Sequence, residues 1–463
     1  MRTTMSSAVE TLETGFAAPR RYFAAAAILI GVLMAAIDSS IVNIALPSIA
    51  QALEVDSASV IWVANGYQVA SASTMLIFAS LGARLGERRF YAIGMVLFTL
   101  SSLGCAVSTT FAMLVFMRVA QGISYAIMIS VGLGLYRAIF PPSALGMIFG
   151  LNALAFAIGT AVGPALGGLI ISYLSWPWLF YINIPLGLVA IYFSISFLGL
   201  DSASETGFDF AGAFTSAGAF GLLVVAVDEI GRWSDLTVGL LLATSAILLA
   251  IFLFIQTKAK SPLLPLDIFT QRRYSFAVLS SVTMFVSQGM ALVALPFVLQ
   301  HTYSYSVLTS SLIFTAWPLA VAICAPLSGS LSAKFNATHI STAGVALFCI
   351  GFASLAVLPR DATIVDLVWR IAICGVGYGF FLPPNNKEMF SNVEKRRAVT
   401  ASGVLSTART AGQSIGAALV AMIIVLSNGL AGSAGGSFIA SVFGVACAIC
   451  SLSALFSMLR IHR

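Results

Sequence analysis

The stretch Ile37-Asp38-Ser39-Ser40-Ile41-Val42-Asn43-Ile44-Ala45-Leu46-Pro47 lies in a longer apolar run, Tyr22 to Leu53, whose one charged residue is Asp38. At 32 residues the run exceeds the ~20 that cross a bilayer. An aspartate near the middle of such a helix costs about 2.5–3.5 kcal/mol to insert. It is therefore expected to face a cavity or a partner instead of lipid. At about 100° per residue, Asp38, Ser39 and Asn43 share one arc of the helix. The run predicts a spanning helix with a polar stripe that lines something wet.

The rest of the chain agrees. Of its 463 residues, 59% are hydrophobic and 9% charged, whereas soluble domains carry about 25% charged residues. Fourteen apolar segments are centred near residues 33, 70, 98, 124, 160, 188, 220, 246, 287, 319, 349, 376, 412 and 448. They leave short loops and no soluble domain. No cleavage-site pattern precedes Asp38, so the first segment is expected to be retained. A net charge of +6 would suit nucleic acid, but its placement argues for a membrane. With both termini cytoplasmic, eighteen of the 23 Lys and Arg fall in cytoplasmic segments, Arg460 among them. Arg232 and Arg360 fall outside, and Arg118, Arg370 and Arg409 within spans. That asymmetry sets the orientation, and Trp62, Trp176, Trp178, Trp233 and Trp369 are expected to form an outer interfacial belt. The partner is thus the lipid bilayer, with no nucleic acid.

Other chemistry finds little support. The six cysteines lie in apolar segments and read as core residues, with no disulfide framework and no metal site. None of the five lysines follows a glycine, which argues against a P-loop. No cofactor is expected, and the chain does not read as an enzyme.

Several motifs punctuate the segments. The second ends in Leu81-Gly82-Ala83-Arg84-Leu85-Gly86-Glu87-Arg88-Arg89, where Gly82 and Gly86 permit a tight turn and Arg84, Arg88 and Arg89 hold it in the cytoplasm. The fourth carries Arg118, Gln121 and Gly122, and a buried guanidinium there must be paired or hydrogen-bonded. The fifth carries Gly159-x-x-x-Gly163-Pro164-x-x-Gly167-Gly168. Small residues at that spacing let helices approach, and the proline deletes one helical hydrogen bond. The tenth holds Trp317, and the thirteenth a polar stripe with Arg409 and Gln413. Asp228 and Glu229 close the seventh. They are either solvated interface residues or a proton-linked pair at the outer mouth. Asp38 reads as the one acid deep within a span.

These motifs, in this order, resemble the fourteen-span drug:proton antiporters of the major facilitator superfamily. Asp38 to Pro47 is similar to that family's first-helix motif, Gly82 to Arg89 to its loop between spans two and three, and Arg118 to Gly122 to a span-four motif whose arginine is tied to proton coupling. Gly159 to Gly168 resembles the antiporter signature, and Trp176 to Gly187 the start of span six. Ala83 stands where the family loop has an aspartate.

The resemblance implies an all-α integral membrane protein with the major facilitator fold: two six-helix bundles plus two extra central helices, fourteen transmembrane helices in all. The expected divisions are a cytoplasmic tail at 1–21, an N-terminal bundle at 22–199, a two-helix insertion at 200–257, a C-terminal bundle at 258–460 and a tail at 461–463. It implies a proton-coupled multidrug exporter in a bacterial inner membrane, expected to be a monomer, with a periplasmic adaptor as an allowed partner. Small-molecule substrates and protons are its ligands. The alternative is a major facilitator exporter or symporter of one specific metabolite or solute. Asp38 and Arg118 would carry the proton or bind the cation, with Asn43, Gln121, Trp317, Arg409 and Gln413 lining the cavity. An unpaired carboxylate in apolar surroundings is stable when protonated or when a cation sits beside it. Proton and lipophilic cation would then exclude one another at Asp38. On this reading Asp38→Asn folds at least as well as the parent.

Overall fold

The computed structural model describes residues 16–141, 144–199, 209–259, 262–264, 266–359, 361–391, 398–427 and 433–461. Its N-terminal half comprises α1 (Arg20–Ala52), α2 (Trp62–Leu85), α3 (Glu87–Ala106), α4 (Phe111–Ile139), α5 (Leu145–Tyr173) and α6 (Trp178–Leu198). A hairpin follows, α7 (Phe210–Asp228) and α8 (Asp235–Lys258). The C-terminal half comprises α9 (Arg272–Thr302), α10 (Val307–Phe314 and Ala316–Lys334), α11 (Ala337–Ala356), α12 (Ile364–Ser391), α13 (Ala398–Leu426) and α14 (Ser433–Ile461). Among the described residues thirteen of these are long and apolar enough to cross a membrane, and α2, a 24-residue helix, packs among them. Residues 201–208, Lys260, Arg360, Lys395, Arg396, Arg397 and Arg463 lie outside the described residues.

Local chemistry fixes the helix ends. Thr110, Asp209, Ser234 and Ser306 each accept a hydrogen bond from a backbone N–H of the first turn of α4, α7, α8 and α10. Such caps satisfy donors that the helix leaves unpaired. Between α2 and α3 the turn is the single residue Gly86, at φ +95°, a backbone that side chains rarely adopt. The expected tight turn is thus built on that glycine.

The packing repeats itself. In the first half α1 packs on α5, α2 on α4, and α3 on α4 and α6. Eight helices later α9 packs on α13, α10 on α12, and α11 on α12 and α14. The two bundles meet through α2 with α13, α5 with α10 and α1 with α9, while α7 leans on both α2 and α13. Several of these junctions lie at the end away from the termini. There Gln300 Nε2 donates to the Ile44 carbonyl at 3.0 Å, the Ser414 hydroxyl meets Asn65 Oδ1, and Gly168 lies against Ser311. At mid-depth the Arg409 guanidinium sits over Phe156 of the other bundle at 5.3 Å.

Three expectations need correction. Arg460 is not a loop charge: it is buried, donating to Asn385 Oδ1 at 2.7 Å and paired with Glu388 Oε2 at 3.1 Å. Its last-turn position looked terminal, but α14 carries it back against α12. Trp317 does not line a cavity, because its ring packs edge-on to Phe348 at 5.4 Å inside the second bundle. Trp62 is no simple belt residue, since its indole is tied to Asp228. Asp38 lies midway along its helix as expected, while Asp228 and Glu388 are also buried, each near the end of its helix.

Candidate functional site

The site is assembled around the carboxylate of Asp38, which has no exposed surface. It sits midway along α1, where four other helices bring groups around it. From α4, Arg118 Nη1 donates to Asp38 Oδ2 at 2.7 Å and Gln121 Nε2 to Oδ1 at 2.9 Å. From α6, Asn183 Nδ2 donates to Oδ1 at 2.8 Å. Ser102 of α3 accepts from Gln121 at 2.7 Å and from Asn183 at 3.3 Å, so it fixes both amides. From α2, the Val63 carbonyl accepts from Arg118 Nε at 2.8 Å, and the Tyr67 ring lies 4.4 Å from the guanidinium. Gln121 Oε1 accepts a further hydrogen bond from Arg118 Nη1 at 2.5 Å.

Two conclusions follow from this geometry. The charge on each partner is answered by the other and by hydrogen bonds, as a buried ion pair requires. Both carboxylate oxygens are also occupied, so Asp38 presents no free carboxylate to a cation. The simple competition expected from sequence therefore does not fit this arrangement.

Beside the cage lies a narrow, partly open apolar cleft between α1, α3, α4 and α5. Its walls include Ile28, Gly31, Ala35, Tyr91, Tyr125 and Met128. Tyr125 stacks against Tyr67, ring centres 5.5 Å apart, and Tyr67 in turn covers Arg118. Tyr125 and then Tyr67 thus lie between the apolar cleft and the ion pair.

The other candidate residues take different places. Asn43 is buried one turn beyond Asp38, with its amide on the Ser39 carbonyl at 3.1 Å. Gln413 donates to Gln288 at 3.2 Å, and Arg409 lies between Phe156 and Phe285, 5.3 and 5.4 Å from their rings. A Cβ on Gly159, Gly163 or Gly167 would strike Ala36, Ser40 or Ile41 of α1, so those glycines set the close approach of α5 to α1. Pro164 lies inside α5, which continues through it. Gly168 differs: it faces Ser311 of the second bundle. Of the loop residues, Gly82 packs under Phe90 and Val131, Arg84 and Arg89 are exposed, and Arg88 lies over Phe16 at 4.9 Å. Asp228 is buried beside Trp62, and Glu229 is half-buried. Neither lies in the Asp38 cage. Asn183, Ser102 and Tyr67 were not singled out from sequence. The polar Asn183 inside an apolar run was the one available signal.

The sequence matches the Major Facilitator Superfamily over residues 28–417 and 277–462. YebQ, an uncharacterised transporter of Escherichia coli K12, is 39% identical over 415 residues, 89% of this chain and 90% of YebQ. The riboflavin transporter RibZ of Clostridioides difficile is 30% identical over 84% of this chain and 85% of RibZ. The multidrug resistance protein Stp of Mycobacterium tuberculosis is 31% identical over 85% of this chain and 74% of Stp. A bacterial homologue of the lysosomal transporter Spinster, solved inward-facing and unoccupied, superposes with a TM-score of 0.69 at 14% identity, covering 96% of this chain and 98% of that one. The peptide transporter POT with sulfate gives 0.71 at 13% identity, covering 97% and 96%. At such identities the likeness speaks to fold alone.

The ion pair reverses the expectation for Asp38→Asn. Asparagine leaves Arg118 buried without a counter-ion, which costs about 3–5 kcal/mol. The variant should therefore melt well below the parent in detergent, and Asp38→Asn with Arg118→Gln should recover most of the loss. An unchanged melting temperature for Asp38→Asn alone would contradict the pairing.

Proposed function

The chain belongs to the Major Facilitator Superfamily, and from that premise we propose that it is a proton-driven exporter of lipophilic, mainly cationic compounds across a bacterial inner membrane. The observation that carries this reading is the buried Asp38–Arg118 pair set behind the tyrosines of an apolar pocket. The multidrug resistance relative supports the substrate class.

In the proposed mechanism the coupling is indirect. With Asp38 ionised, the pair is neutral and a cation can lie against Tyr125, which backs onto Tyr67. A proton on Asp38 removes the negative charge and leaves Arg118 positive behind the same rings. Unit charges ~8 Å apart at an effective dielectric of ~20 repel by about 2 kcal/mol, roughly a thirtyfold preference. Proton and cation then exclude each other without sharing an atom. Loss of the pair also loosens α1 from α4, and rocking of one repeat against the other carries the site between the two faces.

The riboflavin relative favours a second reading: the pocket takes a flat, neutral ring system by stacking on its tyrosines. The two readings are separated by adding ethidium or riboflavin to inverted vesicles under an imposed pH gradient. Ethidium should dissipate the gradient in the parent and fail to do so in Asp38→Asn at matched protein. Parent-level proton flux in Asp38→Asn would overturn the mechanism, and a response to riboflavin alone would replace the substrate class.

The orientation is also proposed, with both termini cytoplasmic, from the distribution of Lys and Arg. In a cysteine-free background, Ser234→Cys should react with an impermeant thiol reagent in intact cells and Arg84→Cys should not. The opposite pattern would invert the topology.

A further inference from the structure

The first turn of α2 makes three separate attachments within four residues. Trp62 Nε1 donates to Asp228 Oδ2 at 2.6 Å, linking α2 to the central hairpin. Val63 accepts from Arg118, linking it to the Asp38 cage. Asn65 meets Ser414 of α13, linking it to the second bundle. Asp228 is fully buried at the end of α7, yet its Oδ1 has no hydrogen-bond partner among the described residues.

A carboxylate kept only for structure is expected to have both oxygens satisfied, because an unpaired buried polar atom is costly. The charged groups acting on Asp228 are Arg232, whose Nη1 is 3.9 Å from Oδ2, and the acids Glu229 and Asp56. Arg232 is held away on Asp56 at 2.9 Å, so it answers Asp228 only in part. From α2 the facing group is the neutral indole of Trp62. On the α13 side, the hairpin turn at Gly231 rests on Val425 and Leu426, which are apolar. The Asp56 side chain is 63% exposed, so bulk water lies one ion pair away.

We propose that Asp228 is a second proton-binding carboxylate, built on the central hairpin and separate from the Asp38 cage, and that Trp62 transmits its charge state to the first turn of α2. The proton adds to Oδ1, the oxygen without a donor, and leaves by the same route to water. Oδ2 keeps the indole in both states, but a charged acceptor holds a donor about twice as strongly as a neutral one. Protonation therefore slackens the Trp62 contact, one residue from the carbonyl that holds Arg118. Its purpose rests on the proton-coupled reading above, while its test needs no substrate.

The test is a pH titration of the purified full-length protein in nanodiscs, followed by infrared difference spectroscopy of the protonated-carboxyl band and by tryptophan fluorescence. The parent should show a carboxyl band and a fluorescence change with the same midpoint. Asp228→Asn should lose the fluorescence change and the band component that shares its midpoint, and the double variant Asp38→Asn with Arg118→Gln, which removes the buried pair without stranding a charge, should keep both. Trp62→Phe should lose the fluorescence change but keep the band, its midpoint raised by about one pH unit, because the lost donor favoured the charged form. Arg232→Gln should raise the midpoint in the same direction. A band component at that midpoint that persists in Asp228→Asn, or that disappears in the double variant instead, overturns the proposal. An unmoved midpoint in Trp62→Phe overturns the role given to the indole.

Discussion

The buried pair of Asp38 and Arg118 is the constraint on which the first bundle depends. It draws a carboxylate from α1, a guanidinium and an amide from α4, an amide from α6, a hydroxyl from α3 and a carbonyl from α2. None of these groups could be left alone in apolar surroundings without a large cost. Each is satisfied only while the five helices keep their places. The arrangement is therefore cooperative: one proton on one oxygen alters the hydrogen-bonding terms of every helix in the bundle except α5. That exception has a structural basis, because α5 meets α1 through backbone and small side chains at Gly159, Gly163 and Gly167. A contact of that kind does not change with charge and lets α5 act as a fixed rail.

The second bundle repeats the helix pairing without repeating the chemistry. Its buried pair, Glu388 with Arg460, lies close to the termini, where α12 meets α14, and it also engages Asn385, Ser457 and Thr338. At the interface between bundles the links are few and of mixed kind: amides, hydroxyls, a glycine and the Arg409 guanidinium between two phenylalanine rings. Such a junction has less to lose on opening than a packed core, which suits two bundles that must rock against each other. The central hairpin adds a buried acid at that junction.

Much of this was legible in the sequence because charge is rare in it. Asp38 and Arg118 stood out as single charges in apolar runs, and burial obliged them to find partners. The glycines of the fifth segment were legible by spacing, and Gly86 by the turn it had to make. What escaped detection was neutral or terminal. Asn183 and Ser102 complete the cage, but uncharged polar residues are common in these helices and carry no spacing signal. Arg460 and Glu388 lie in the last turns of their helices, where sequence cannot tell a snorkelling charge from a buried one. Trp317 was read as cavity-lining from its type, while the helix turns its ring into the core. Asp228 was left between two readings, and only the α2–α7 contact distinguishes them.

The account rests on the claim that a proton opens the Asp38–Arg118 pair. Experimental structures of the protein in nanodiscs, determined without substrate at alkaline and at acidic pH, test it most directly. At alkaline pH the guanidinium should lie against the carboxylate, with Gln121 and Asn183 in place. At acidic pH Arg118 should have left Asp38 and the contact of α1 with α4 should have widened. A closed pair with unchanged helix positions at both extremes would contradict the account.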